Sequence, residues 1–463
     1  MATLLESYKN RLAISESVHQ KSHNGAKMSA GKKLMIASVL NNTSKFINEA
    51  FDSSAATQRS VLGDFKKFCL NVSTVALPNL ILPELMLTQP MTSITGYVTY
   101  LRYTAGSGKL AGKTFNTPYK LGEMDDVRAS YTSSNVVEPV TAGEAFNPAW
   151  TPKKGTVKFL VNGVWGTAGD AVEEVPANAT KVAYVYDNII VPQKDENGAT
   201  NIPTLKAAMN GISLRAHARR IAVYYSQIAA FQAKTDYGFD LGEQLATQAQ
   251  GELAYEIDTE GVLMLVNGAE EHTENNLTFN SYDVEFENAN GVTISRSMYY
   301  EQFSEIIARA KKVLYKRTQK FAPNFMICGA NILTILPYVK GWTAAPASVV
   351  NGPYHAGTVD GLKVFVSPAM DDNEYVFGVN GSDLQTAAAV YAPYMAIVPT
   401  QLLGFADGGM SQGFSTMYDM KLLNTYDRKD GKIVDVIETA GEEGDLAEVG
   451  QFSYLLVKGH MEV

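Results

Sequence analysis

Hydrophobic side chains near the start of the chain recur at helical spacing. Between residues 32 and 51 one apolar stripe is formed by Leu34, Met35, Val39, Leu40, Phe46 and Ile47. Spacings of four and seven residues within this set, as from Met35 to Val39 and from Leu40 to Ile47, predict an amphipathic helix. The preceding stretch, residues 15–32, is polar and carries glycine, which predicts a mobile segment. We interpret residues 1–75 as a helical arm, and we expect its apolar stripe to need a partner surface.

The next pattern is typical of strands. Residues 76–102 hold an apolar run bounded by Pro78 and Pro83, followed after Gly96 by alternating apolar and polar positions. Alternation with a period of two is the pattern of a half-buried strand, so we expect strands here. Glycines in residues 104–113 then predict a flexible loop.

A small β insertion is predicted at about residues 146–192. Asn162 and Gly163 stand between apolar residues, which is a strong hairpin signal because both turn positions favour positive φ. A later strand would place Val182, Tyr184 and Tyr186 on one face.

Two long helical patterns follow. The first runs between Asp240, which fits the N-cap position, and Gly268, which fits the stop. Its apolar positions are four residues apart: Leu241, Leu245, Ala249, Leu253 and Ile257. The second helix, over residues 297–319, has on one side Phe303, Ile306, Ile307, Ala310, Val313 and Leu314.

The last third of the chain predicts core strands, a short helix and an exposed connection. Residues 324–336, 361–370 and 374–381 are apolar enough for core strands and one short helix, whereas residues 426–450 are polar and acidic. The chain ends in a predicted strand at 451–460. This order lacks the regular strand–helix alternation of a doubly wound sheet, so the fold class is mixed α+β.

Composition narrows the function. The 463 residues suffice for two or three domains or one multi-lobed fold. A net charge of −9, with interspersed signs, argues against wrapping DNA, which needs clustered Lys and Arg. Cys69 and Cys328 are the only cysteines, which fits a reducing cytoplasm. Neither a signal-peptide core nor an apolar run of the ~20 residues of a membrane span occurs. We expect a soluble protein used without export.

The motifs that could suggest a phosphate-binding loop or a zinc site lack the residue spacing that such sites require. A phosphate loop at 106–114 would need four residues between its first glycine and the Gly-Lys pair, but five follow Gly106 and three follow Gly108. His272 lies among Glu270, Glu271 and Glu274 without the spacing of a helical zinc motif. Cys328 sits in an apolar strand, where an inert thiol is expected. We therefore predict no catalytic residue, cofactor or metal site.

One basic face has two interpretations. Arg215, His217 and Arg219 alternate with apolar residues, and Arg220 lies beside them. They would contact nucleic acid, or they would form salt bridges with a neighbouring subunit or an acidic loop. We favour salt bridges, because no aromatic stacking platform or wider basic field accompanies them. Arg215, His217 and Arg219 are thus candidates for inter-subunit contacts.

Four segments in order carry a family resemblance. They are residues 79–102, 215–260, 324–336 and 378–401. The most specific positions in them are Gln89, Pro90, Met91, Gly96, Tyr391, Ala392, Pro393 and Tyr394. Each segment is weak alone, but four in register are specific. The chain resembles the major capsid proteins of T-even-type tailed bacteriophages.

The resemblance implies a Hong Kong 97-type capsid fold with an arm, an extended loop, a long spine helix, and peripheral and axial domains. The implied division is 1–75 arm; 76–102 strand entering the peripheral domain; 103–211 extended loop with the β insertion; 212–267 peripheral domain with spine helix; 268–295 axial part; 296–340 peripheral helix and strand; 341–425 axial domain; and 426–463 acidic connection and terminal strand.

The implied function is structural, without enzyme activity or cofactor. Such proteins assemble through hexameric capsomers in the host bacterial cytoplasm into the head shell of the virion, which encloses packaged double-stranded DNA. The implied partners are other copies and the vertex, portal, scaffold and decoration proteins, with no membrane and no sequence-specific DNA binding. The related pentameric vertex protein and an encapsulin-type compartment protein are the alternatives.

Proteolytic trimming is a further implication. Family members are commonly cleaved by a head protease after Leu/Ile-x-Glu. Residues 47–49 followed by Ala50 match this pattern, as do residues 4–6 and 14–16. We hypothesise cleavage between Glu49 and Ala50, and contact of the arm with a scaffold or an adjacent subunit.

Overall fold

The computed structural model describes most of the chain. The described residues are 2–22, 27–52, 70, 74, 77–105, 114–115, 135–148, 151–185, 205–238, 241–271, 277–282, 294–318, 321–345, 352–400, 403–405, 408–427 and 451–462. Helices and strands occur in a mixed order, which confirms the α+β class.

Among the described residues, the α-helices are α1 (Ala2–Ser7), α2 (Lys9–Ser22), α3 (Ala30–Asp52), α4 (Leu82–Leu85), α5 (Gln227–Asp236), α6 (Leu241–Asn267), α7 (Arg296–Glu301), α8 (Phe303–Thr318) and α9 (Ala330–Ile335). Within these ranges, no helix combines the length and apolar character needed to cross a bilayer.

The strands described are β1 (Leu87–Thr88), β2 (Thr95–Ala105), β3 (Thr114–Phe115), β4 (Asn135–Pro139), β5 (Lys158–Val161), β6 (Val164–Trp165), β7 (Ala179–Val185), β8 (Leu205–Arg215), β9 (His217–Ser226), β10 (Glu270–Glu271), β11 (Thr278–Asn280), β12 (Phe325–Cys328), β13 (Thr343–Ala344), β14 (Tyr354–Val359), β15 (Leu362–Val366), β16 (Glu374–Gly378), β17 (Ala389–Pro399), β18 (Leu403–Gly404), β19 (Gly409–Leu422), β20 (Thr425–Asp427), β21 (Gln451–Ser453) and β22 (Leu456–Glu462).

The chain divides into two compact units. The first comprises Met1–Val98, Gly211–Leu314 and Phe321–Val463, and the second comprises Thr99–Asn210 with Tyr315–Lys320.

An eight-stranded mixed sheet lies in the first unit. Its order is β10-β22-β16-β12-β15-β14-β13, and β11 also pairs with β22. The central strand β12 is buried along its whole length, which explains its unbroken apolar sequence. The predicted stripe of the second long helix is buried throughout α8. The predicted single helix is interrupted at Gln302, where α7 ends and α8 begins.

The second sheet of this unit has five strands. Its order is β1-β17-β19-β18, and β9 pairs with β19 from Gly409 to Tyr418. Helix α6 packs on it through Ala249 and Leu253 against Ile397 and Phe414. The predicted helix is confirmed over Leu241–Asn267, and Asp240 lies outside the described residues.

The arm packs on its own unit. On α3, Ile47 is fully buried against Met395 and Val398 of β17. The partner surface that the apolar stripe requires is therefore supplied within the chain. The stripe is also rotated from the predicted one, because Phe46 is 41% exposed while Ile36 is fully buried. Residues 15–22 belong to α2 rather than to a mobile segment.

The strand expected after Gly96 is confirmed as β2, whereas the apolar run bounded by Pro78 and Pro83 is not a strand. A 3₁₀ turn over Leu77–Asn79 and the one-turn helix α4 occupy the apolar run, and only β1 and β2 are extended. Pro83 lies in the first turn of α4, where its missing N–H costs nothing because that position has no partner within the helix.

The second unit contains the β module. Its four-stranded sheet has the order β4-β7-β5-β6. Asn162 and Gly163 have φ values of 50° and 80°, as the hairpin predicted, and they join β5 to β6. Val182 and Tyr184 share one buried cluster, whereas Tyr186 lies outside the described residues. The sheet begins at Asn135, earlier than the predicted 146.

The sheets do not follow the predicted division of the remaining chain. Strand β12, predicted with 296–340, pairs with β15, predicted with 341–425. Strand β19, also from 341–425, pairs instead with β9. The predicted terminal strand is two strands, since β21 pairs with β20 and β22 joins the eight-stranded sheet. Residues 428–450 of the predicted acidic connection lie outside the described residues.

Leu253 tests the packing of α6. This side chain is 1% exposed, so Leu253→Asp would bury a carboxylate without a partner. We expect the free energy of unfolding to fall by about 3–5 kcal/mol, with loss of soluble protein. Gln244→Asp, on the exposed side of α6, is the matched control. Equal urea midpoints for the two variants would contradict this packing.

Candidate functional site

The two most specific segments of the family resemblance meet in one place. Strand β1 runs parallel to β17, with Thr88 opposite Tyr391. Beyond β1, the Gln89 N–H donates to the Tyr391 carbonyl at 2.9 Å, and the Met91 N–H donates to the Pro393 carbonyl at 3.0 Å. Gln89–Met91 and Tyr391–Tyr394 thus form one junction, although they are distant in sequence.

The surroundings of Tyr391, Met91 and Gly96 indicate a role in packing rather than in catalysis. Tyr391 and Met91 are buried, with 2% and 5% exposure. Burial raises the pKa of Tyr391, which keeps the phenol neutral. A side chain at Gly96 would begin 3.4 Å from the Met91 methyl group, a tight contact. Nothing in this arrangement supplies a nucleophile or a base.

Helix α3 is fastened to the junction by two polar side chains. Asn42 Nδ2 donates to the Met91 carbonyl at 2.6 Å and to the Tyr394 carbonyl at 3.0 Å. Thr43 Oγ1 accepts the Ala396 N–H at 3.2 Å. Sequence reasoning missed both residues. The available signal was their polarity next to a buried apolar stripe, where a polar group needs a partner.

The turn before the junction is held by a carboxylate from α6. Both oxygens of Asp258 accept the Ile81 N–H, at 3.1 and 3.2 Å, and Oδ1 also accepts the Leu82 N–H at 3.3 Å. One helical turn later, a Cβ on Gly261 would lie 2.2 Å from a Leu82 methyl group. Asp258 and Gly261 therefore form one face of α6, shaped to receive α4.

Two side chains of the arm, Lys32 and His19, contact the backbone of the same turn. Lys32 Nζ donates to the Leu80 carbonyl at 3.2 Å and lies 3.5 Å from His19 Nδ1. His19 Nδ1 is 3.3 Å from the Pro78 carbonyl oxygen. Both side chains are buried, with 4% exposure each.

Burial dominates the electrostatics of this cluster. Burial raises the pKa of Asp258 to about 7, although its backbone hydrogen bonds and Lys32 favour the ionised form. Burial also lowers the pKa of Lys32 to about 8, against the attraction of Glu84 and Asp258. The pKa of His19 is lowered by burial and by the neighbouring charge of Lys32. Each group is destabilised in its charged form.

The basic face is only partly available for contacts beyond the chain. Arg219 Nη2 donates to Glu260 Oε1 of α6 at 2.6 Å, and its guanidinium lies over the Tyr418 ring at 5.8 Å from the centroid. Hydrogen bonds to Tyr418 and Glu260 raise the pKa of Arg219 further. Arg215 and His217 are exposed. The backbone N–H of Arg215 donates to Asp419 Oδ2 at 2.8 Å.

Among the remaining predicted positions, those that the structure describes offer no reactive or metal-binding group. Burial raises the pKa of the Cys328 thiol to about 12, so the thiol stays protonated. Cys69, His272 and residues 106–113 lie outside the described residues. No group of His, Cys, Asp and Glu side chains suited to a metal occurs in the described part of the chain. Glu49 and Ala50 lie in the last turns of α3.

Asp258 gives the cluster a pH dependence with a definite sign. A raised carboxyl pKa means that the folded state binds more protons than the unfolded state between pH 3.8 and about 7. Stability from this group is therefore present at low pH and is lost as pH rises through that window, by at most about 4 kcal/mol. Asp258→Asn keeps an acceptor oxygen but does not titrate.

We expect the difference in free energy of unfolding between Asp258→Asn and the unaltered chain to shift in favour of the variant as pH rises from 4 to 7. Urea unfolding at several pH values measures it. The lowered pKa of His19 works in the opposite direction below 6.5, but it is common to both proteins. A difference that does not vary with pH would contradict the assignment.

Comparison with known proteins agrees with the sequence resemblance. The model of the family described as major capsid protein Gp23 matches residues 62–447. The major capsid protein of Escherichia phage AR1 is 22% identical over 383 residues, covering 74% of this chain and 72% of the relative. That of Enterobacteria phage T4 is 22% identical over 379 residues, with the same coverage of 74% and 72%.

Solved structures give weaker likenesses. A structure from Mycobacterium phage Bobi aligns with a TM-score of 0.38 and 9% identity, covering 82% of this chain and 90% of that chain. An encapsulin complex from Synechococcus elongatus aligns with a TM-score of 0.32 and 11% identity, covering 55% and 77%. These scores carry no argument about the fold.

The family match rests on most of the chain, and it includes both segments of the junction described above. The sequence resemblance is thereby confirmed. The chain belongs to the Gp23 major capsid protein family, and it is a structural, non-enzymatic component of the capsid of a tailed phage.

Proposed function

We propose that this chain assembles through hexameric capsomers into a head shell that encloses packaged double-stranded DNA. Membership of a major capsid protein family supports the proposal, because such a protein acts by contacting further copies of itself. The observation that carries it is the family match over residues 62–447, which includes both Gln89–Met91 and Tyr391–Tyr394.

The finer fold assignment is part of this proposal. In a Hong Kong 97-type arrangement, α6 would be the spine helix, and the sheet beneath it would belong to the peripheral domain. The β module of the second unit would be the insertion in the extended loop. The eight-stranded sheet combines segments predicted as axial and as peripheral. We therefore propose domain boundaries that follow the sheets rather than the predicted sequence ranges.

We also propose contacts of this chain with neighbouring subunits and with other proteins of the particle. Arg215 and His217 are exposed and suit contacts with a neighbouring subunit. Arg219 suits a different role, since its ion pair with Glu260 joins β9 to α6 within one chain. Vertex, portal, scaffold and decoration proteins would complete the particle, and the enclosed DNA would not be read by sequence.

Shell formation is testable with the purified full-length chain. We expect electron micrographs to show closed particles or hexameric capsomers, because the family is one of shell proteins. In particles isolated from infected cells, this chain should be the dominant band on a protein gel. A minor band would support the vertex protein instead, and particles without DNA at every stage would favour a compartment protein.

Cleavage between Glu49 and Ala50 is proposed with a structural condition. The bond lies inside α3, and Ile47, the first residue of the recognition pattern, is fully buried. A protease needs an extended substrate, so the last turns of α3 would have to unwind before cleavage. Loss of residues 1–49 would also remove Asn42 from the junction.

Intact-mass measurement of the virion protein decides this point. Cleavage predicts a chain that begins at Ala50. We expect Val398→Ala to speed cleavage, because it loosens the packing of α3 on β17 and leaves Ile47 in the recognition pattern. A virion protein with the mass of all 463 residues would exclude the cleavage.

A further inference from the structure

Helix α5 exposes its large apolar side chains and turns its alanines inward. Its inward side carries alanines, with Ala233 buried, whereas Ile228 and Phe231 are 72% and 70% exposed. Ile228 and Phe231 are three residues apart and so share one face of the helix. Burial of large apolar side chains is the main favourable term in folding, and a helix that only served its own core would face the other way.

Beside the start of α5, the end of β9 and the segment at β18 also expose large apolar side chains. The Gln227 N–H, at the start of α5, donates to the Gly408 carbonyl at 2.9 Å. There Tyr224 of β9 lies 6.2 Å from the Phe405 ring, measured between centroids. Tyr224, Leu403 and Phe405 are 60%, 59% and 50% exposed. We name Tyr224, Ile228, Phe231, Leu403 and Phe405 the end patch.

The charges beside the end patch suit a symmetric contact. Lys234 and Asp236, both exposed, lie in the last turn of α5. They are two residues apart, so they do not face each other along the helix. When two copies of one surface meet about a rotation axis, the lysine of one copy can pair with the aspartate of the other. An aromatic centre with a polar rim is typical of protein interfaces.

We propose that the end patch binds the end patch of further copies of this chain, with Phe231 in its centre and Lys234 paired with Asp236 across the contact. This inference rests on the proposed function, and it names one of the surfaces through which the shell is assembled. The occupant is a second copy because the rim carries both signs of charge, and because the chain belongs to a family that builds capsids. The contact would need about 800 Å² on each partner to be stable.

The test compares single residues of the end patch. Phe231→Glu places a charge at the centre of the contact without disturbing the fold, since Phe231 is mainly exposed in the single chain. We expect it to reduce the fraction of chain in oligomers or shells at least about tenfold, as loss of an interface hot spot does. Phe231→Leu, which keeps an apolar side chain, is the matched control and should stay within about twofold. Sedimentation and electron microscopy of the purified full-length variants provide both readouts, and circular dichroism checks folding.

Charge reversal tests the pairing. Lys234→Asp and Asp236→Lys should each weaken association, because each places like charges opposite one another. The double variant should recover most of it. A structural role within α5 would not produce this recovery. No recovery would overturn the pairing of Lys234 with Asp236.

The outcomes separate this inference from the proposed function. If the unaltered chain forms shells and Phe231→Glu forms them equally well, the end patch is not a contact, while the proposed function stands. If the unaltered chain forms small oligomers that Phe231→Glu lacks, but never forms shells, the contact stands and the shell function falls. A chain that stays monomeric at all concentrations overturns both.

Discussion

Several backbone groups between residues 78 and 91 find hydrogen-bond partners only outside this segment, and much of the first unit is arranged around them. Pro78 and Pro90 limit regular structure there, and a buried backbone group without a partner is costly. The partners come from three distant elements: the Asn42 side chain of α3, the Asp258 carboxylate of α6 and the carbonyls of β17. One irregular segment thus fixes the arm, the long helix and the sheet relative to one another.

Hydrogen bonds in this region fix the relative positions of the elements, which apolar packing alone does not. Ile47 and Leu253 supply favourable burial, but hydrophobic contact alone tolerates small shifts in position. Lys32 and Asp258 each lose hydration on burial, and hydrogen bonds to Leu80, Ile81 and Leu82 offset part of that loss. The turn must stay in one position for both Lys32 and Asp258 to keep these hydrogen bonds. The charged groups therefore contribute more to a single arrangement than to net stability.

The end patch reflects a second requirement, which applies to a protein that assembles with further copies of itself. A chain that works alone gains by burying its large apolar residues, whereas a shell protein must keep some of them for its neighbours. Helix α5 follows the second rule, since alanine faces inward while Ile228 and Phe231 face outward. The same chain therefore contains a closed junction around Asn42 and an apolar surface that a single copy leaves open.

Features that depend on near neighbours in the chain could be predicted from the sequence. The four-residue spacing from Leu241 to Ile257 was enough for α6, and Asn162-Gly163 was enough for a hairpin, because helix and turn geometry are local. The family was also readable from short segments in order. Three features became apparent only in the folded chain: Phe46 is exposed, the arm is covered within its own unit, and Asp258 binds the backbone of residues 81 and 82. Those outcomes depend on groups far away in the chain, and the energy of burying a polar group has no value until its partners are in place.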